Sequence, residues 1–154
     1  MMFYSTKTYG HDVGLSCCFR QPKAQSHCRL LHGYAISVKL IFRCRQRDEN
    51  GWVMDFGGLK SIKEWLQSQF DHTVLLSATD PELVHFESLD SMGLIDLRVL
   101  RDGVGCEAFA FYIFEYVQEW LRNRFDPVRG MEIYSVEVAE HGGNSAIWKN
   151  ERVD

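Results

Sequence analysis

From Tyr34 to Phe42 the chain alternates apolar and polar side chains with a period of two. Tyr34, Ile36, Val38, Leu40 and Phe42 fall on one side, and Ser37, Lys39 and Arg43 on the other. Nothing else in the sequence constrains the fold as strongly. Such a period belongs to an extended strand, and a strand with one apolar face has to lay that face on a core while the other stays wet. The β-branched and aromatic residues at the inward positions suit a pleated, half-buried surface. The pattern predicts an antiparallel strand around which the rest of the chain is arranged.

Upstream, His11 to Phe19 reads as a second strand with Val13, Leu15, Cys17 and Phe19 on one face. Gln46 to Gly51 is polar and ends in Asn50-Gly51, a turn signal. From Leu59 the period changes: Leu59, Ile62, Leu66 and Phe70, with Trp65, follow helical spacing, and Asp55 is placed to cap the start. A second helix is predicted from Cys106 to Arg122, with a wide stripe of Phe109, Ile113, Tyr116, Val117, Trp120 and Leu121. Asp126-Pro127 punctuates its end. Met131 to Val138 alternates again, Ile133 and Ser135 opposite Tyr134, Val136 and Val138, and Ser145 to Lys149 makes a short last strand. Strands at both ends of the order, with two helices between, predict an α+β layer: an antiparallel sheet with helices on one face. The open edges of such a sheet invite association with further copies.

The chain's 154 residues, 45% apolar and 25% charged, fit one globular domain spanning 1–154. Lysine and arginine total 17 against 21 acids, a net charge of −4, which argues against a face built to neutralise nucleic-acid phosphates. No apolar run approaches the ~20 residues of a membrane helix. Met1 to Gly10 is polar, unlike the apolar heart of a signal peptide. A soluble, cytoplasmic protein with no nucleic-acid or membrane partner is expected. The five cysteines, an odd set without a Cys-x-x-Cys pair, read as reduced thiols.

Titratable groups concentrate in three places: Ser26 to Tyr34, which holds His27, Cys28 and His32; Asp71-His72 after the first helix; and Glu137 to Gly143, which holds Glu140 and His141. A thiol, an imidazole–carboxylate pair and a further carboxylate are what a general-base proton transfer uses. The thiolate takes a proton, the imidazole carries one, and the acid orients the imidazole.

Their order along the chain carries a resemblance. Cys28-x-x-x-His32-Gly33, Gly51-Trp52-Val53-Met54-Asp55-Phe56-x-x-Leu59-Lys60, Asp71-His72, Glu107 opening a helix, and Val138-x-Glu140 are together similar to the 6-pyruvoyltetrahydropterin synthase and 6-carboxytetrahydropterin synthase family, from about Ser16 to Trp148. The resemblance implies the tunnelling fold, a four-stranded antiparallel sheet with two helices (ββααββ). Three such subunits close a barrel, and two trimers stack into a hexamer. It implies a lyase acting on a reduced pterin such as 7,8-dihydroneopterin triphosphate, feeding queuosine synthesis, at sites between subunits. By position, Cys28 would be the proton-abstracting thiolate and Asp71 with His72 its relay from a neighbouring chain. Glu140 would grip the guanidine-like edge of the pterin, and Glu107 would support it.

The family also implies a zinc ion on three histidines, and here the chain departs. Of those positions only His32 is a histidine; the others are Phe19 and Tyr34. Phenylalanine offers no lone pair, and a tyrosine ligand would have to lose a proton whose ordinary pKa is near 10. The inherited zinc site is therefore expected to be damaged or absent, with His27, Cys17, Cys18 and His141 as replacement ligands by type. Val104-Gly105-Cys106-Glu107 lacks the hydroxyls that usually precede the second helix, and Leu76 stands where an asparagine is usual. Ser77 to Gly103 is longer than the family's loop and too apolar for a free linker, which suggests a lid or an extra interface element. A non-catalytic pterin- or purine-binding protein on the same scaffold is the alternative reading.

Overall fold

A computed structural model describes residues 1–125 and 127–151; the predicted stop at Asp126 lies outside them. The alternating segment forms the longest strand, β3 (His32–Cys44), with Ile36, Val38, Leu40 and Phe42 wholly buried on one face. One edge of β3 is shared by two collinear strands. β1 (Phe3–Tyr9) pairs with its second half, and β2 (Leu15–Phe19) with its first. The single strand expected over 11–19 is thus a short 3-10 turn at His11–Val13, a left-handed Gly14 with φ 82°, and β2. Glycine takes this conformation at no steric cost, so the chain can break its extended course there.

On the other edge of β3 lies β6 (Glu132–His141), followed by β7 (Asn144–Lys149), both antiparallel. β2, β3, β6 and β7 thus follow the four-stranded antiparallel order that the resemblance implied. Within β6 the expected alternation fails at one point. Ile41 faces Ser135 but Phe42 faces Ile133, so Tyr134 is an extra residue in the ladder. That bulge turns Ile133 to the same buried face as Val136 and Val138.

Two helices cover the apolar face as predicted. The Asp55 carboxylate accepts the Gly57 N–H at 2.9 Å, starting the 3-10 turn (Phe56–Leu59) that leads into α1 (Lys60–Phe70). Ile62, Leu66 and Phe70 of α1 are fully buried. After β4 (Thr73–Ser77), α2 (Leu83–Ser91) and β5 (Leu97–Leu100) comes α3 (Cys106–Arg122), whose Phe109, Ile113 and Val117 meet the same core. The two long helices touch through Trp65 and Tyr116, stacked at 3.8 Å.

The segment expected as a lid or interface element extends the sheet instead of lying over it. β4 runs parallel to β2, and β5 parallel to β4, with α2 as the crossover, so the sheet is mixed and seven-stranded. Thr73 to Leu76 are all buried, the continuous burial of a parallel strand, and Leu76 sits in that apolar row. A bidentate pair from Arg20 to the buried Asp80, at 2.8 and 3.2 Å, fastens this unit to the end of β2. Among the described residues no helix is long and apolar enough to cross a membrane.

Candidate functional site

The β2–β3 ladder sets Phe19 opposite His32 and Cys17 opposite Tyr34, four side chains on one face of the sheet. Between them Gly33 faces Cys18, and a β-carbon there would lie 2.5 Å from the Cys17 carbonyl oxygen and 2.8 Å from Cys18 Sγ. Glycine is therefore a condition of this close pairing. Just before β3, Ser26 caps a 3-10 turn (His27–Arg29) by accepting the Cys28 N–H, and the Cys28 carbonyl accepts the Gln21 N–H at 2.9 Å. These bonds hold the half-buried Cys28 beside the end of β2.

The far end of β6 reaches the same place. The Glu140 carboxylate lies near enough to the Tyr34 phenol to act on it. Burial first, then the negative charge of Glu140 and of the Cys28 and Cys106 thiolate forms, keeps the Tyr34 phenol above its ordinary pKa. Cys106, the first residue of α3, lies close to both Glu140 and Glu107. Burial, then those two carboxylates, pushes its thiol up to about 12. The turn before α3 is tight: Gly105 has φ 107°, and a β-carbon on it would meet Gln21 Nε2 at 2.6 Å. Gln21 in turn donates to the Val104 carbonyl at 2.5 Å. Cys28, His32, Tyr34, Glu140 and Glu107 therefore collect at one end of the sheet.

Asp71 and His72 do not join them within one chain. His72 Nδ1 donates to Asp71 Oδ1 at 2.6 Å, the imidazole is 88% exposed, and the His72 backbone N–H bonds Ser16 at the start of β2. From Ser16 to Gln21, where Cys28 is tied, is about 16 Å of extended chain. The Gly51–Phe56 motif lies elsewhere again: with Phe3, Tyr4 and Arg47 it lines a cavity of about 430 Å³ beside β1.

The zinc positions hold no ligand set. Phe19 and His32 rings stand 4.9 Å apart, Phe19 and Tyr34 6.0 Å, His32 and Tyr34 5.7 Å, so the three rings pack on one another. The replacement ligands fare no better. Cys17 is buried, its thiol raised to about 12 by burial and then by Cys18 and Cys106. Cys18 belongs to the opposite face of β2. His141 Nδ1 accepts the Gly143 N–H at 3.1 Å, and its Nε2 lies 3.2 Å from Asn144 Nδ2. Among the described residues no three His, Cys, Asp or Glu side chains form a metal-holding group. The residues present do not fit a zinc ion. Tyr34 and Cys106 were not foreseen as partners of Glu140; the one sequence signal was that each stands where the resembling family has a different polar residue.

Comparison with known proteins bears on this arrangement. Over 60 residues, 38% of this chain and 44% of the relative, the chain is 33% identical to the 6-carboxy-5,6,7,8-tetrahydropterin synthase of Rickettsia felis and 35% identical to that of Rickettsia bellii. The match thus spans less than half the length of these curated relatives. An uncharacterized protein from Wolinella succinogenes has the same fold (TM-score 0.76, 22% identity, 98% of this chain and 99% of that one). So has a 6-pyruvoyl tetrahydropterin synthase from Plasmodium vivax (TM-score 0.69, 16% identity, 96% and 97%). The profile of the 6-pyruvoyl tetrahydropterin synthase family matches residues 11–151, from before β2 to beyond β7. With sequence profile and tunnelling fold in agreement over nearly all its length, the chain belongs to the 6-pyruvoyl tetrahydropterin synthase family.

Proposed function

We propose that this protein is a lyase acting on a reduced pterin, 7,8-dihydroneopterin triphosphate or a close relative, in the manner of 6-carboxytetrahydropterin synthase. The observation that supports this reading is the gathering of Cys28 and Glu140, from segments far apart in sequence, around Tyr34. Glu140 grips the N–H groups of the pterin edge; a carboxylate has acceptor sites enough for these and for Tyr34. Glu107, in the first turn of α3, supports it. Cys28, as thiolate, removes a proton from the pterin's carbon side chain, and His72, oriented by Asp71, carries the proton onward. Because His72 stands far from Cys28 along β2, the relay comes from a neighbouring copy. Assembly through the outer edges of β1 and β7, which pair with no strand among the described residues, supplies that copy.

The test is turnover. Purified protein incubated with 7,8-dihydroneopterin triphosphate is expected to release inorganic triphosphate and a pterin with an altered side chain, followed by chromatography. Cys28→Ala should abolish this while still binding the pterin. Tight pterin binding without turnover by the wild type would overturn the enzyme reading in favour of a binding protein on the same scaffold.

A further inference from the structure

The mismatch at the zinc positions is specific in its geometry. Phe19 lies directly across the ladder from His32, and Tyr34 follows two residues along β3 on the same face. Phe109 of α3 closes the cluster edge-on to Phe19 at 5.2 Å. The lone imidazole has its Nδ1 engaged with the Leu30 carbonyl at 2.8 Å. The volume between the three positions is taken up by packed ring carbon, and the one hydroxyl among them, on Tyr34, has Glu140, Cys28 and Cys106 in its surroundings.

We infer that this pocket handles its ligand without zinc, with the Tyr34 hydroxyl, on the same face as His32, as the polar group that meets the ligand's side-chain oxygens. The inference rests on the pterin reading above for the ligand's identity, but not for the metal. A phenol can donate one hydrogen bond and accept two. With its proton directed at Glu140 it accepts from a side-chain hydroxyl. That contact positions the side chain over Cys28. Phe19 and Tyr34 alone account for the lost metal, because the third position, His32, is still a histidine on the same face.

The experiment compares wild type, Tyr34→Phe and Phe19→His/Tyr34→His, each dialysed with zinc, washed and analysed for metal. Wild type is expected to retain no stoichiometric zinc, and its binding of 7,8-dihydroneopterin, read by fluorescence, to be unchanged by EDTA. Tyr34→Phe, which keeps the ring and removes only the hydroxyl, should weaken that binding about tenfold, the loss of one hydrogen bond. The double variant places three imidazoles on one face and is expected to take up one zinc per chain and, with cobalt(II), to show the visible absorption of a tetrahedral site. Stoichiometric zinc in the wild type, or a folded double variant that binds none, overturns the inference. So does a Tyr34→Phe protein that binds the pterin as tightly as wild type, and this arm remains if the double variant does not fold. Wild type that holds no zinc and also no pterin leaves the metal result standing and defeats the pterin reading instead.

Discussion

His72 holds Asp71 through Nδ1 at 2.6 Å from a left-handed backbone, φ 57°, at the exposed end of α1, while Cys28 is tied to Gln21 at the other end of β2. A non-glycine residue in that region stores about 1–3 kcal/mol, and such strain collects at functional positions. If the pair serves a neighbouring chain, proteins defective in Cys28 and in His72 should repair one another. His72→Asn is the better partner for Cys28→Ala, because asparagine tolerates the left-handed turn. Each variant alone is expected to be inactive. Co-expressed in equal amounts, they should recover about a quarter of wild-type turnover, the random fraction of interfaces that pair an intact thiol with an intact imidazole. No recovery in verified mixed oligomers would place the relay elsewhere.

The Gly33 approach yields a stability prediction. A methyl group there meets the backbone oxygen of Cys17 as well as the Cys18 sulfur, and backbone cannot swing aside like a side-chain tip. Gly33→Ala should therefore force β2 away from β3 and cost about 1–3 kcal/mol, the usual penalty of overpacking. Urea denaturation measures the loss. Gly58, beside which a β-carbon meets nothing within 4 Å, is the control, and its alanine variant should fall well short of that loss.

Arg20 and Asp80 join β2 to the added parallel unit, and the Asp80 side chain is wholly buried. Asp80 also accepts the Glu82 N–H at 2.9 Å at the entry to α2. Arg20→Met leaves that charge without its partner and should cost about 3–5 kcal/mol. Replacing both, as Arg20→Met/Asp80→Leu, should recover a large part of it. Amide exchange is expected to quicken first in β4, α2 and β5, since this pair reinforces the β2–β4 ladder that joins them to the strand that carries Phe19.

Which of these features the sequence disclosed follows from what periodicity can register. β3 and α3 are long, with a full set of apolar residues on one face, and their bounds read directly. β1 escaped because Ser5 and Lys7 share its inward side with Phe3 and Tyr9, so the apolar alternation is broken. Val74 to Leu76 is buried on both faces, and a short continuous apolar run has no period to reveal. The bulge at Tyr134 is a property of the pairing with β3, absent from β6 alone. The order along the chain singled out Cys28, His32 and Glu140, which the fold brings to one end of the sheet. The nearness of Tyr34 to Glu140 was not legible, because it joins strands distant in sequence through the geometry of a strand end.

Cys17 and Cys106 give a prediction with a definite sign. Burial lifts each thiol from 9.0 to about 12. Below pH 9 both folded and unfolded chains keep these protons, and the native state has its full stability. Between pH 9 and 12 the unfolded chain releases them while the folded chain holds on, so stability falls as pH rises and this contribution is gone by pH 12. Each thiol adds up to about 1.4 kcal/mol per pH unit to the slope. Tyr9, raised from 10.0 to about 12 by burial, joins in above pH 10. The urea midpoint should be level from pH 7 to 9 and then drop. Cys17→Ala, less stable throughout, should drop less steeply, because one of the protons that separates the two states has been removed. Equal slopes for wild type and Cys17→Ala would show that the Cys17 proton is not held by the fold.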